Sequence, residues 1–330
     1  MPAAPTAPTV LLTDHAWPDT AIERDIVEAA GFRLHAGPAE PSPPDAIVAL
    51  VQETQPVAIM TCWARVPAEA IAASPGLRVV ARVGVGLDNI DVEEATRRGV
   101  WVTNVPDYCV EEVSDHAVGL LLAWARGIVH FAGEVRAGRW NPASARLHRV
   151  SDLTVGLLGY GRIARRAAQK LAGFGVRLLA HDLQAPAGDT LAEMVPLDAL
   201  FARSDVIIVM LPLTPQTHHL VNAERIGTMR QGGCVINVSR GGVVDTQALT
   251  DALASGRLGG AGLDVLEQEP DVPPALRERA DAIVTPHIAF SSAASLAELR
   301  RRASEEVVRV LRGERPQQPC NAPLPAGTNP

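Results

Sequence analysis

Gly159-Tyr160-Gly161-Arg162-Ile163-Ala164 sets two glycines and a small residue at the spacing G-x-G-x-x-A, directly after the apolar run Thr154–Leu158. Each position has a task in holding a pyrophosphate. Gly159 permits a tight turn, Gly161 lets the backbone approach a phosphate, and Ala164 is small enough for a helix to pack closely on the strand. A helix starting there presents the N–H groups of Arg162 and Ile163, and the positive end of its dipole, to the anion. Glycines also occur in ordinary turns, so the pattern needs context. The next strand-like run, Val176–Ala180, ends at His181-Asp182, and Asp182 stands 21 residues after Gly161, near the ~20-residue spacing of a ribose-binding acid. A carboxylate at that point accepts hydrogen bonds from ribose hydroxyls and repels a 2′-phosphate. Leu183 and Gln184 follow with no adjacent arginine, so the expected cofactor is NAD rather than NADP.

A doubly wound scaffold has to position these residues. From Thr154 a βα series runs on through Val206–Met210, Val235–Val238, Ala261–Val265 and Ile283–Thr285. Upstream, Val10–Leu12, Val57–Met60, Leu77–Val83 and Val100–Thr103 read as strands, and Ile22–Ala30, Ala68–Ala73 and Val92–Arg98 as helices. Strands alternating with helices imply parallel sheets covered on both faces. The expected fold class is α/β, with two doubly wound parallel-sheet domains. A Rossmann NAD-binding domain, residues 104–287, is inserted in a flavodoxin-like substrate domain made of residues 1–103 and 288–330. A final helix is expected over Ser292–Arg312, and the first nine residues read as a frayed end. Between Cys109 and Val129, Val110, Val113, Ala117, Leu121, Trp124 and Ile128 recur every three or four residues, which predicts one continuous helix. Leu120, Leu122 and Ala125 widen its apolar stripe over most of the circumference, so it must be covered on several sides. A core helix between domains and a helix packed across a dimer interface both fit, and some of each is expected.

Three further segments carry a likeness to a known family: Asn237–Asp245 (NVSRGGVVD), Gly262–Pro270 (GLDVLEQEP) and Thr285–Phe290 (TPHIAF). Together with Arg82–Asp91 (RVGVGLDNID), they make the chain resemble the NAD-dependent D-2-hydroxyacid dehydrogenases from about Leu77 onward. Asn104–Val113 resembles the branch that includes the C-terminal-binding proteins. Cys109 stands where the family often has a serine-like cap, and Phe290 where that branch has tryptophan.

The resemblance implies an oxidoreductase moving a hydride between NAD(H) and a 2-keto or D-2-hydroxy acid. It implies catalytic roles for Arg240, Glu269 and His287, and it sets Ser239, Arg240, Asp264 and His287 beside the cofactor, with Asp264 holding the nicotinamide carboxamide. Val85 and Gly86 would offer backbone N–H groups to the substrate carboxylate. The chemistry is consistent with these roles. A histidine suits proton exchange with an alkoxide because its pKa lies near neutrality. A carboxylate beside it favours the imidazolium and orients the ring, and an arginine grips a carboxylate and polarises a carbonyl.

Two other readings compete: a phosphoglycerate dehydrogenase-like enzyme, and an NAD(H)-sensing corepressor-like binding protein. The loop Thr61-Cys62-Trp63-Ala64-Arg65 offers a phosphate only Arg65, so uncharged 2-keto acids are expected to outperform 3-phosphohydroxypyruvate. Trp63 is either a wall of the substrate pocket or a core aromatic.

Composition sets the outer bounds. The chain has 330 residues, 47% of them hydrophobic, and a net charge of −7. That is enough apolar content for two cores and too acidic a balance for a nucleic-acid footprint. No apolar run approaches the ~18–20 residues of a membrane span, and no basic-then-apolar leader is visible, so a cytoplasmic protein is expected. Four scattered cysteines suggest neither a disulfide framework nor a metal site. The expected partners are a small 2-keto or 2-hydroxy acid and a second copy of the chain, with no nucleic acid and no membrane.

Overall fold

The computed structural model describes residues 7–15, 17–184 and 191–323. The residues 1–6 of the expected frayed start, and 324–330 of the tail, lie outside these. The chain divides into two units, Met1–Tyr108 with Ser292–Pro330, and Cys109–Ser291. Both divisions fall a few residues later than 103/104 and 287/288. The reason is hydrogen bonding: Val105 N–H donates to Gly84 O at 3.0 Å, which keeps it with the first unit. Ile288 and Ala289 N–H donate to the Asp264 carboxylate, which keeps them with the second.

In the first unit the order is β1 (Thr9–Leu12), α1 (Ala21–Ala29), β2 (Arg33–Ala36), α2 (Pro44–Thr54), β3 (Ala58–Thr61), α3 (Ala68–Ala72), β4 (Val79–Arg82), α4 (Val92–Arg97) and β5 (Trp101–Thr103). The sheet order is β2-β1-β3-β4-β5, all parallel, with Leu11 opposite Ile59, Ile59 opposite Val80 and Val80 opposite Val102. These central strands are apolar apart from Thr9, Thr61 and Arg82 at their ends, because helices cover both faces. Thr9 is a buried strand residue, which corrects the frayed end expected over the first nine residues at that position. Two elements were not anticipated. β2 is a short edge strand of mixed polarity, and α2 starts inside the proline-rich stretch because Pro44 occupies the helix start, where a missing N–H costs nothing.

The second unit contains α5 (Val110–Ala125), α6 (Ile128–Arg136), β6 (Thr154–Leu158), α7 (Arg162–Ala172), β7 (Arg177–His181), β8 (Glu193–Met194), α8 (Leu197–Arg203), β9 (Val206–Val209), α9 (Ala223–Thr228), β10 (Gly233–Asn237), α10 (Thr246–Ala254), β11 (Leu258–Leu263), α11 (Pro274–Arg277) and β12 (Ala282–Val284). Its parallel sheet runs β12-β11-β10-β9-β6-β7-β8. The continuous helix expected over Cys109–Val129 is two helices, bent by 61°. Gly127 at φ +60° breaks it; a Cβ there would press on Leu147 and Phe131. The consequence is a division of labour. Val113, Ala117, Val118, Leu120 and Leu121 of α5 are buried, whereas Ile128, counted on the same stripe, is 56% exposed on α6. Among the described residues no single helix is long and apolar enough to cross a membrane.

The chain then returns to the first unit as α12 (Ala293–Leu311), opened by a reciprocal Ser292–Ser295 capping box. Residues beyond it cover the open edge of β5: Cys320 N–H donates to Val102 O at 2.8 Å, and the Asn321 side chain accepts from Val102 N–H at 2.8 Å.

Candidate active site

Strand order in the second unit reverses between β6 and β9, which is where doubly wound sheets bind ligands. β6 feeds Gly159, at φ +93°, and a Cβ on it would stand 2.8 Å from Met210 O at the end of β9. Gly161 precedes α7, and a Cβ there would meet nothing within 4 Å. The N–H groups of Gly161, Arg162 and Ile163 donate to no protein acceptor among the described residues. An open cradle, unsatisfied donors and a helix of eleven residues fit a pyrophosphate. Asp182, just past β7, braces the same turn: Oδ2 accepts from Tyr160 N–H at 2.7 Å and Oδ1 from Gln184 N–H at 2.8 Å. A carboxylate has further lone pairs for ribose hydroxyls, so the residues present fit a dinucleotide.

Further along the carboxyl edge stand His287 and Glu269. His287 Nδ1 and Glu269 Oε2 are 2.8 Å apart. The other oxygen, Oε1, accepts from Leu266 N–H at 3.0 Å. Burial pushes the Glu269 pKa up. The His287 hydrogen bond and charge, the Leu266 N–H and the Arg240 charge outweigh that and hold it below the usual carboxylate range. The carboxylate is not deeply buried, with 37% of its side chain exposed. Arg240 is placed by Gly241, whose missing Cβ would lie 1.9 Å from the Leu266 carbonyl carbon. Only glycine lets the 239–242 turn lie against the turn before Glu269. Within that turn Ser239 N–H and Oγ both donate to Asn237 Oδ1, and Arg240 Nη1 donates to Ser239 O at 2.8 Å.

His287 has φ +53°, a left-handed conformation uncommon for a non-glycine residue. Asp264 holds it there. Its backbone oxygen accepts from His287 N–H at 2.8 Å. Its buried carboxylate accepts from Thr285 Oγ1 at 2.6 Å, Ile288 N–H at 3.0 Å and Ala289 N–H at 2.9 Å. His116 of α5 reaches the same Thr285 hydroxyl at 3.0 Å. Asp264 therefore clamps the loop that carries the histidine, a role the motif reading did not assign to it.

Residues 118–289 match the family model described as D-isomer specific 2-hydroxyacid dehydrogenase, NAD binding domain. The chain belongs to the D-isomer specific 2-hydroxyacid dehydrogenase family. It is 38% identical over 308 residues to a D-3-phosphoglycerate dehydrogenase of Mycobacterium bovis, covering 92% of this chain and 56% of that protein. The chain thus spans little more than half the length of that relative. It is 36% identical to a hydroxypyruvate reductase of Thermotoga maritima, covering 80% of this chain and 86% of the other. The solved structure of the TT0316 protein from Thermus thermophilus superposes with a TM-score of 0.87 at 33% identity, covering 95% of this chain and 100% of that one. The dehydrogenase family thus accounts for both sheets and the order of their elements.

In the first unit, reported by itself, Val85 O accepts from Asn104 Nδ2 at 2.6 Å, and the N–H groups of Val85 and Gly86 donate to no protein acceptor among the described residues. Trp63 follows β3, and Arg65 is solvent-exposed. The residue the sequence reading missed here is Asp14, wholly buried. It accepts from the N–H groups of Cys62, Trp63 and Ala64 and from the Thr13 hydroxyl. An acid two residues after an apolar strand was the available signal. In the second unit the missed residues are Thr285 and His116, the latter a polar residue between Val113 and Ala117 on α5. The fold also gathers His218, His219 and Glu267, three residues of metal-ligating type, within 4.8 Å. Glu267 there accepts from Thr246 N–H and bonds His219 at 2.5 Å.

Proposed function

We propose that the protein transfers a hydride between NAD(H) and a 2-keto acid or D-2-hydroxy acid. The observation that carries this is the His287–Glu269 pair, 2.8 Å apart and with the Arg240 charge acting on the same carboxylate, beyond the same sheet edge as an open dinucleotide cradle. The nicotinamide cofactor supplies or accepts the hydride. Gly159, Gly161, Arg162 and Ile163 hold its pyrophosphate, Asp182 its adenosine ribose, and Ser239, Arg240, Asp264 and His287 flank the nicotinamide end. Because Nδ1 faces Glu269, His287 exchanges its proton through Nε2. Glu269 keeps the ring oriented and supports its charged form. Arg240 binds the substrate carboxylate and polarises the carbonyl. In the first unit Val85, Gly86 and Trp63 are proposed as substrate contacts. The absence of an arginine beside Asp182 supports NAD over NADP.

The reading extends to assembly and compartment. Ile128, Val129 and Val135 on α6, Leu147, and Trp140 at 83% exposure are large apolar side chains left exposed within one stretch of the chain. They support a closed two-fold homodimer through α6 rather than through the buried α5. Four free cysteines support a reducing, cytoplasmic setting.

The deciding experiment follows NADH oxidation with a panel of 2-keto acids and determines the configuration of the product. A D-2-hydroxy acid is expected. No turnover of any 2-keto acid, or an L product, overturns the reading. Trp140→Asp should halve the mass seen in sedimentation, and an unchanged mass removes α6 as the interface.

A further inference from the structure

His218 and His219 lie in the loop between β9 and α9, and Glu267 lies in the turn after β11. Glu267 is 48 residues from His219 in sequence. Even so, one ligand atom of each residue, a ring nitrogen or a carboxylate oxygen, lies within 4.8 Å of the other two. The backbone arranges this. Neighbouring side chains of an extended chain point to opposite sides. His219 instead takes φ +49°, a left-handed conformation uncommon outside glycine. The two rings then stack with centres 4.0 Å apart and planes 23° from parallel. The loop is tied to the rest of the unit: His219 N–H donates to Gly242 O at 2.9 Å, and Val221 N–H to Val243 O at 3.0 Å. Glu267 is tied as well. Its Oε2 accepts from Thr246 N–H at 2.8 Å, which leaves Oε1 facing His219 Nε2 at 2.5 Å.

A surface ion pair would account for His219 and Glu267 but not for His218. The His218 ring lies on its neighbour, and its nitrogens have no hydrogen-bond partner among the described residues. We propose that His218, His219 and Glu267 form a site for a divalent transition metal of the zinc class, with water as the fourth ligand. Two imidazoles and a carboxylate are a donor set that suits Zn²⁺, and three protein ligands leave one position open, unlike the four of a closed structural site. Ligand atoms ~2.0–2.1 Å from a tetrahedral ion stand ~3.3 Å apart. Binding therefore opens the His219–Glu267 contact and draws His218 inward, each by about 1 Å. The side chains have that freedom, since His219 is 37% and Glu267 26% exposed and His218 is exposed. The absence of a metal site was expected from the cysteines, and this set uses none of them. A bound ion would cross-link the β9–α9 loop to the turn that carries Glu269, two residues beyond Glu267. Nothing in this site depends on the dehydrogenase reading.

The test uses the full-length protein, freed of metal by chelator and dialysis, and follows zinc chloride binding by calorimetry. Wild type should bind one Zn²⁺ per chain and melt at a higher temperature with zinc than without. His218→Gln and Glu267→Gln should each weaken binding by more than about tenfold, because even an outer partner of a metal ligand is worth about 10–100-fold. Co²⁺ in place of Zn²⁺ should give wild type, but not His218→Gln, the visible absorption of a four-coordinate site. His287→Gln is the control for zinc captured by the His287–Glu269 pair, and it should bind as wild type does. Melting without zinc checks that each variant is folded. If Glu267→Gln, which alters the group holding Thr246, does not fold, His218→Gln decides. Zinc binding that is lost in His287→Gln but kept in His218→Gln overturns the proposal. So does binding of equal strength in every variant, or the lack of stoichiometric binding by wild type.

Discussion

Each unit has a point where its strand order reverses, and the two points are finished differently. In the first, between β1 and β3, the N–H groups of residues 62–64 converge on Asp14, a carboxylate the chain supplies itself. In the second, between β6 and β9, the turn is built from glycines, and the N–H groups of residues 161–163 have no protein acceptor among the described residues. One topology therefore gives an internally satisfied switch point and an open one. The difference lies in one acidic residue after a strand against two glycines after another. Topology indicates where a ligand would sit; the side chain that terminates the strand decides whether there is room.

The proposed proton chemistry lies in the second unit, where the largest effect is expected. His287→Ala should lower kcat by ~10²–10⁴-fold, the contribution of a positioned acid–base group; steady-state kinetics that show near-normal turnover would remove the histidine from the mechanism. The first switch point predicts stability instead. Asp14→Ala strands three backbone N–H groups and should cost about 3–5 kcal/mol in urea unfolding, at ~1–3 kcal/mol for each unsatisfied group. A loss below about 1 kcal/mol would mean that the loop does not depend on its carboxylate.

The open point should be sensitive to smaller changes. Gly159→Ala meets both φ +93° and the Met210 carbonyl, so NADH affinity measured by fluorescence titration should drop while substrate-independent folding persists. Asp182→Ala should narrow the preference for NADH over NADPH by about tenfold in kcat/KM. Equal use of the two cofactors by wild type would defeat the role given to Asp182.

The smallest effect concerns pH. The Glu269 pKa is lowered in the folded protein, so its contribution to stability is present above the ordinary carboxylate range. It is lost only as pH falls through the lower, folded value. A pH–stability curve of wild type against Glu269→Gln should show a gap near neutrality that closes below pH ~4. A gap that widens as pH falls would reverse the sign.

Much of this was legible beforehand because it depends on local pattern. The glycine turn, the alternation of strands and helices and the helix after Ser292 follow from residue spacing, and the quoted motifs singled out Glu269, His287 and Arg240, which the fold brings near one another. What was not legible depends on contacts between distant segments. Asp14 and its partners are 48 to 50 residues apart. The clamp of Asp264 on Thr285 spans 21. The bend at Gly127 was missed for a related reason. The apolar period continues through it, and the helix stops at one glycine of φ +60°, where a Cβ would press on Leu147 and Phe131.

The return of α12 to the first unit carries a consequence for how the chain is made. Arg300 on that helix donates to both oxygens of Glu23, a fully buried acid of α1, at 2.8 Å each. A ribosome delivers Glu23 early and Arg300 only after the whole of Cys109–Ser291 has emerged. Until then the acid has no arginine to neutralise it, so the first unit stays incomplete while the second can finish. The first unit, although its strands are made early, cannot complete its packing until α12 has emerged, and a nascent protein stopped before Arg300 would carry Glu23 without its partner.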